Sequence, residues 1–127
     1  MKLRAPAYPL ITIDPYFSVW SPTNDPTASN TVHWTNRPIT ISVIAKIDGK
    51  DYRVIGNSNA DSVPAMKLLN SDCTAFSTVY TFKDAGVKID LKFTSPIIPN
   101  DLYMLSRPVS YLEVNKESID GKRHEVS

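Results

Sequence analysis

His33, Trp34 and Arg37 stand almost side by side, and the chain holds only two histidines and two tryptophans in all. A histidine titrates near neutral pH and serves as acid or base when a second group orients its ring. No second histidine lies nearby in sequence, since His124 sits far down the chain. The plainer reading is that Trp34 packs under a loop while His33 and Arg37 make loop hydrogen bonds, because aromatic rings mostly supply packing area. If the cluster has a function, binding a ligand or another domain suits it better than catalysis.

Carboxylates are the next chemistry to weigh. Asp14, Asp25, Asp61 and Asp101 all fall in segments that read as loops. Glycosidases need two carboxylates roughly 5 to 10 Å apart, but nothing in the spacing here demands convergence. Aspartates in loops commonly bond the local backbone as turn-formers. An Asp-rich calcium loop is absent, and so are a serine nucleophile elbow, a phosphate-cradling glycine loop and an HExxH pair. Cys73 is the single cysteine, which excludes an internal disulfide and a cysteine-based zinc site. The residues thus point to no catalytic set, no metal and no cofactor. Tyr8, Tyr16, Phe17, Trp20, Trp34, Tyr52 and Tyr103 would make a sugar platform if exposed together; burial in the core is the expected fate.

Whatever these side chains do, strands must position them. The 127 residues suit one domain, and apolar and charged fractions of 42% and 21% are those of a globular chain. Lys plus Arg total 14 against 13 Asp plus Glu, so no basic excess exists to neutralise a nucleic acid backbone. No run approaches membrane-spanning length, and no apolar signal core follows Met1. Ten prolines against four glycines suit stiff connections between strands.

Residues 39–47 alternate with period two, Asp48-Gly49 follows, and 50–55 return: a hairpin whose two corner residues need positive φ. Residues 78–82, the corner Lys83-Asp84-Ala85-Gly86 and 87–93 repeat the design. A third strand pair is expected from Val109 to Lys116, through Asp120-Gly121, to His124-Glu125-Val126. Pro9 to Ile13 and Phe17 to Ser21 read as short strands around Asp14-Pro15, residues 22–36 as a long loop, and 61–72 as an ambiguous stretch leaning to strand. Together these predict an all-β antiparallel sandwich over residues 1–127, with no long helix. The final strand is expected to be cut short at Ser127, leaving edges that pair between copies into a homo-oligomer.

The stretches "PYFSVWSP", "HWTNRPITISVIAKIDGKDYRVIG", "FTSPIIPNDLYMLSRPVSYLEV" and "DGKRHEVS" resemble, in this order, the N-terminal region of the glutaminase A family. That family is known from fungi and gut Bacteroides, in large secreted or periplasmic proteins. The resemblance implies an N-terminal β-sandwich followed by a helical toroid domain that carries the reactive carboxylates and hydrolyses glutamine to glutamate and ammonia. On it, this chain is a non-catalytic module whose partner is that helical catalytic domain, with a secreted or periplasmic location. The matching positions are Trp20, His33-Trp34, Asp48-Gly49, Tyr52, Gly56, Ser95-Pro96, Pro99, Asp101, Ser106-Arg107-Pro108 and Tyr111. Among them and their neighbours, His33, Trp34, Arg37, Trp20, Asp101 and Arg107 are the candidate ligand or interdomain contacts. Residues 68–76 depart from the family's more polar strand, which leaves their register open. A stand-alone carbohydrate-binding sandwich is the alternative.

Overall fold

A computed structural model describes residues 5–58 and 60–127. Eight strands and one short helix are defined. They are β1 (Tyr8–Thr12), β2 (Ser18–Ser21), β3 (Val43–Ile47), β4 (Lys50–Ile55), β5 (Lys67–Cys73), β6 (Ser77–Asp84), β7 (Val87–Thr94), α1 (Leu102–Ser106) and β8 (Tyr111–Ser118). All pairings between these strands are antiparallel. They give a four-stranded sheet in the order β5-β6-β7-β8 and two ribbons, β1-β2 and β3-β4. The all-β antiparallel class predicted from periodicity is what the chain adopts.

The corners form where the sequence marks them. Asp48 and Gly49 take φ of 50° and 84°, and Ala85 and Gly86 take 50° and 76°, as tight hairpin turns between right-twisted strands require. Along β7, Val87, Ile89, Leu91 and Phe93 are buried while Lys88, Asp90 and Lys92 are only partly so. These four meet Tyr80 and Phe82 of β6, Tyr8 and Leu10 of β1, Ala45 and Ile47 of β3, Val54 and Ile55 of β4, and Met66 in one apolar cluster. Burying such side chains is worth on the order of 2 kcal/mol each, so the two ribbons are held on the sheet mainly by this contact. Tyr8 meets Tyr80 edge-on at 5.9 Å, and Thr78 Oγ1 donates to Pro9 O at 2.6 Å, which fixes β1 over β6.

Three expectations need correction. The alternation over 39–47 becomes strand only from Val43, because Thr31 captures the earlier part: its Oγ1 donates to Ile39 O and accepts from Ile41 N at 2.6 and 2.7 Å. Pro9, counted with the prolines that suit connections between strands, lies inside β1, at a register shift between Pro9 and Ile11 that tolerates a residue without an N–H. The third hairpin is not a hairpin. After β8 the chain crosses to the other layer, and residues 125–127 pair with β3: Lys46 N donates to Ser127 O at 2.8 Å, Ser127 N to Lys46 O at 3.0 Å and Asp48 N to Glu125 O at 2.9 Å. The ambiguous 61–72 stretch resolves into turns, a parallel bridge from Ala65 to Arg53, and β5.

Candidate functional site

The tip of the β1–β2 hairpin gathers half of the candidates. Asp14 Oδ1 accepts from Tyr16 N and Phe17 N at 2.7 and 2.8 Å, an Asx turn around Pro15. Two side chains from the 31–38 loop converge on the Pro15 carbonyl oxygen. His33 Nε2 donates to it at 3.0 Å and Trp34 Nε1 at 2.7 Å. Thr35 N donates to His33 Nδ1 at 3.2 Å, so Nδ1 accepts and Nε2 carries the proton. Thr35 Oγ1 lies 2.8 Å from the same Nδ1, so both ring nitrogens have partners within the loop and hairpin tip.

Loop hydrogen bonding, as expected for His33, is thus observed. The packing expected of Trp34 is not: the residue is 61% exposed, its ring stacked at a tilt against His33 with centroids 5.3 Å apart. Tyr16 is 93% exposed and Phe17 is exposed beside it, while Tyr8 is core. The aromatic set therefore divides: Tyr16, Phe17 and Trp34 are exposed at the hairpin tip, and Tyr103 is exposed separately on α1. Arg37 is exposed and touches the cluster through its backbone, accepting from His33 N at 2.8 Å. Trp20 adjoins from β2, where it bridges Val32 and its Nε1 donates to Ser18 Oγ at 2.6 Å.

Asp101 and Arg107 sit elsewhere, at the two ends of α1. Asp101 Oδ1 accepts from Met104 N at 3.1 Å as the N-cap. Arg107 lies over the Tyr103 ring at 4.6 Å and donates to its hydroxyl at 2.9 Å. Among the described residues no hydrogen bond or ring contact joins this pair to the His33 loop. Asp25 is another local turn-former, accepting from Thr27 N and Oγ1. No group of three or more metal-ligating side chains suited to an ion occurs among the described residues, and no helix among them is long and apolar enough to cross a membrane.

The closest histidine–carboxylate geometry lies where sequence spacing gave no signal. His124 Nδ1 donates to Asp48 Oδ2 at 2.6 Å and Nε2 to Asp120 Oδ1 at 2.8 Å, with the His124 side chain only 10% exposed. Asp48 is 76 residues away in sequence, so only the fold brings it there. Two carboxylates on two nitrogens require two N–H donors, which is the imidazolium form. The bonds to Asp48 and Asp120 hold the His124 pKa above its ordinary value. The same bonds, with backbone help, lower Asp48 and bring Asp120 down to about 2.

Residues 1–67 match the family model described as a domain of unknown function, DUF4964. The chain belongs to that family. Residues 76–127 match a second model with the same description, DUF5127. The apolar cluster draws on both matched segments, from Tyr8 to Met66 and from Tyr80 to Phe93. Glutaminase A of Aspergillus oryzae is 30% identical over 131 residues, covering 97% of this chain and 19% of its own length. A protein named "Probable glutaminase" from Arthroderma benhamiae is 25% identical over 134 residues, covering 91% of this chain and 15% of its own. The chain therefore spans less than a fifth of either curated relative. No solved structure matches.

Proposed function

We propose that this DUF4964 chain is the non-catalytic N-terminal β-sandwich module of a glutaminase A-like hydrolase, and that it docks on a helical catalytic domain. The observation that carries the reading is a core face that runs on past its cover. The register sets Leu112 opposite Phe93 and Val114 opposite Leu91. Opposed residues of an antiparallel pair share a face. Phe93 and Leu91 are buried, yet Leu112 and Val114 are 46% and 56% exposed. Leu102, Tyr103 and Leu105 of α1 add further exposed apolar surface. Exposed apolar side chains on an edge strand suit an interdomain contact. Relationship to proteins named glutaminase supports the identity of the parent, and the local engagement of His33, Asp14, Asp25 and Asp101 supports a module without its own chemistry.

The expected result is no glutamine hydrolysis by this chain alone, and binding to a separately produced helical region of a glutaminase A-like protein that Val114→Lys weakens about tenfold or more. Sustained turnover by the chain that disappears in His33→Ala overturns the reading. The same resemblance leads us to propose a secreted or periplasmic location, read by cell fractionation.

A second reading, carbohydrate binding, is favoured by one observation: Tyr16, Phe17 and Trp34 are presented together at the hairpin tip. Glycan binding that Trp34→Ala abolishes while the circular dichroism spectrum is unchanged would select it over docking at β8.

A further inference from the structure

The segment after β8 changes layers. Its turn is tied to the sheet: Ser118 Oγ donates to Lys122 O at 2.6 Å, Lys122 N to Asp120 Oδ1 at 2.9 Å, and Ile119 N to Gly86 O at 3.0 Å. Its far part is tied to the ribbon through Lys46, Asp48, Glu125 and Ser127. His124 stands at the crossing, and it alone among the side chains there bonds a carboxylate from each layer: Asp120 beside the sheet and Asp48 on the β3–β4 corner. Asp48 is doubly committed, since its Oδ1 also accepts from Glu125 N at 3.0 Å.

We propose that His124 is a proton-operated latch: as imidazolium it joins the two layers and holds residues 125–127 along β3, and on losing a proton it releases them. The chemistry is set by donor count. A neutral imidazole has one N–H, so one of the two carboxylates must then face a nitrogen lone pair at hydrogen-bond distance. That repulsion is relieved only if Asp48 or Asp120 moves away, and moving Asp48 disturbs its bond to Glu125 N.

The surrounding charges leave this balance in the hands of the two aspartates. From β8 and its turn come Lys116, Glu117 and Asp120; Lys116 Nζ donates to Val126 O at 2.8 Å. From the ribbon comes Asp48, while Lys46 and Asp51 pair with each other at 3.8 Å. From β7 and its turn come Val87 and Gly86, which carry no charge. Lys122, Arg123 and Glu125 flank His124 on its own segment.

The His124 pKa is raised above 6.5, so its hold is complete below that value and is lost as pH climbs through the raised one. The aspartates are lowered from 3.8, so their part is complete above that value and fades only in strong acid, as pH falls through about 2 for Asp120. The latch is closed between these limits.

Amide hydrogen exchange by NMR, corrected for intrinsic rate, reads it directly. Between pH 5 and pH 9 the protection of the Ser127 and Lys46 amides should fall about tenfold or more, with a midpoint matching the His124 ring titration. His124→Gln should make that protection low and independent of pH, and Asp120→Asn should move the midpoint to lower pH. Protection that stays flat with pH in the unmodified protein overturns the proposal, as does an identical pH profile in His124→Gln. Should His124→Gln not fold, an unchanged midpoint in Asp120→Asn overturns it instead.

Discussion

Arg53 holds a guanidinium at 9% exposure on β4, and its partners are neutral oxygens: Val63 O at 2.9 Å, Thr27 O at 2.7 Å, Gly56 O at 3.0 Å and Asn57 Oδ1 at 3.2 Å. One side chain thus ties the 22–30 loop and the 56–64 loop to the ribbon. Arg53→Met would leave several buried carbonyls unsatisfied, and each such loss costs about 1–3 kcal/mol. The expected fall in stability is roughly 3 kcal/mol in urea denaturation, with Arg53→Lys recovering little because an ammonium lacks the planar fork. The sequence carries no sign of this role. Arg53 alternates within a strand like any surface residue, and its acceptors come from loops whose paths sequence does not specify. His33 was legible as a loop residue because its chemistry is local; His124 was not, because Asp48 reaches it only through the layer crossing.

Among the elements, the two hairpins were readable at their corners because alternation and corner chemistry agree there, with Asp48-Gly49 and Ala85-Gly86 at positive φ, although the alternation from Ile39 overran the strand that begins at Val43. The corners differ in what surrounds them, and this separates two otherwise equal substitutions. A Cβ on Gly49 meets nothing within 4 Å, so Gly49→Ala should cost only the left-handed strain of about 1 kcal/mol. A Cβ on Gly86 would collide with the Asp120 carboxylate and approach His124 Nε2 at 3.0 Å. Gly86→Ala should therefore lower the thermal midpoint more than Gly49→Ala does, and should also shift the His124 ring resonances. Equal midpoints with unmoved resonances would show that Asp120 yields freely. The helix α1 escaped notice because five residues are too few for periodicity to show, and Asp101, which caps it, reads in sequence as a loop turn-former.

At the scale of the whole molecule, the class was legible and the layering was not. Period-two patterns say which face of a strand is apolar, but not which other strand covers it. β8 shows the gap: Leu112 and Val114 continue the core face of β7 yet stay exposed among the described residues. Exposed edge strands of this kind invite pairing with another chain. Static light scattering should therefore show a mass that grows with concentration, and Val114→Lys should return it to that of a single chain without lowering the unfolding midpoint. A constant monomer mass for the unmodified chain would mean that β8 is protected in solution.

The junction at His124 also bears on the order in which the chain matures. Residues 77 apart must meet before Asp48 can cap Glu125, whereas each hairpin closes within a handful of residues. Distant contacts form late because bringing their ends together is entropically slow. During synthesis on the ribosome, the outer rim of β3 therefore waits open until residues 125–127 clear the exit tunnel, and over that interval a nascent neighbour can take their place.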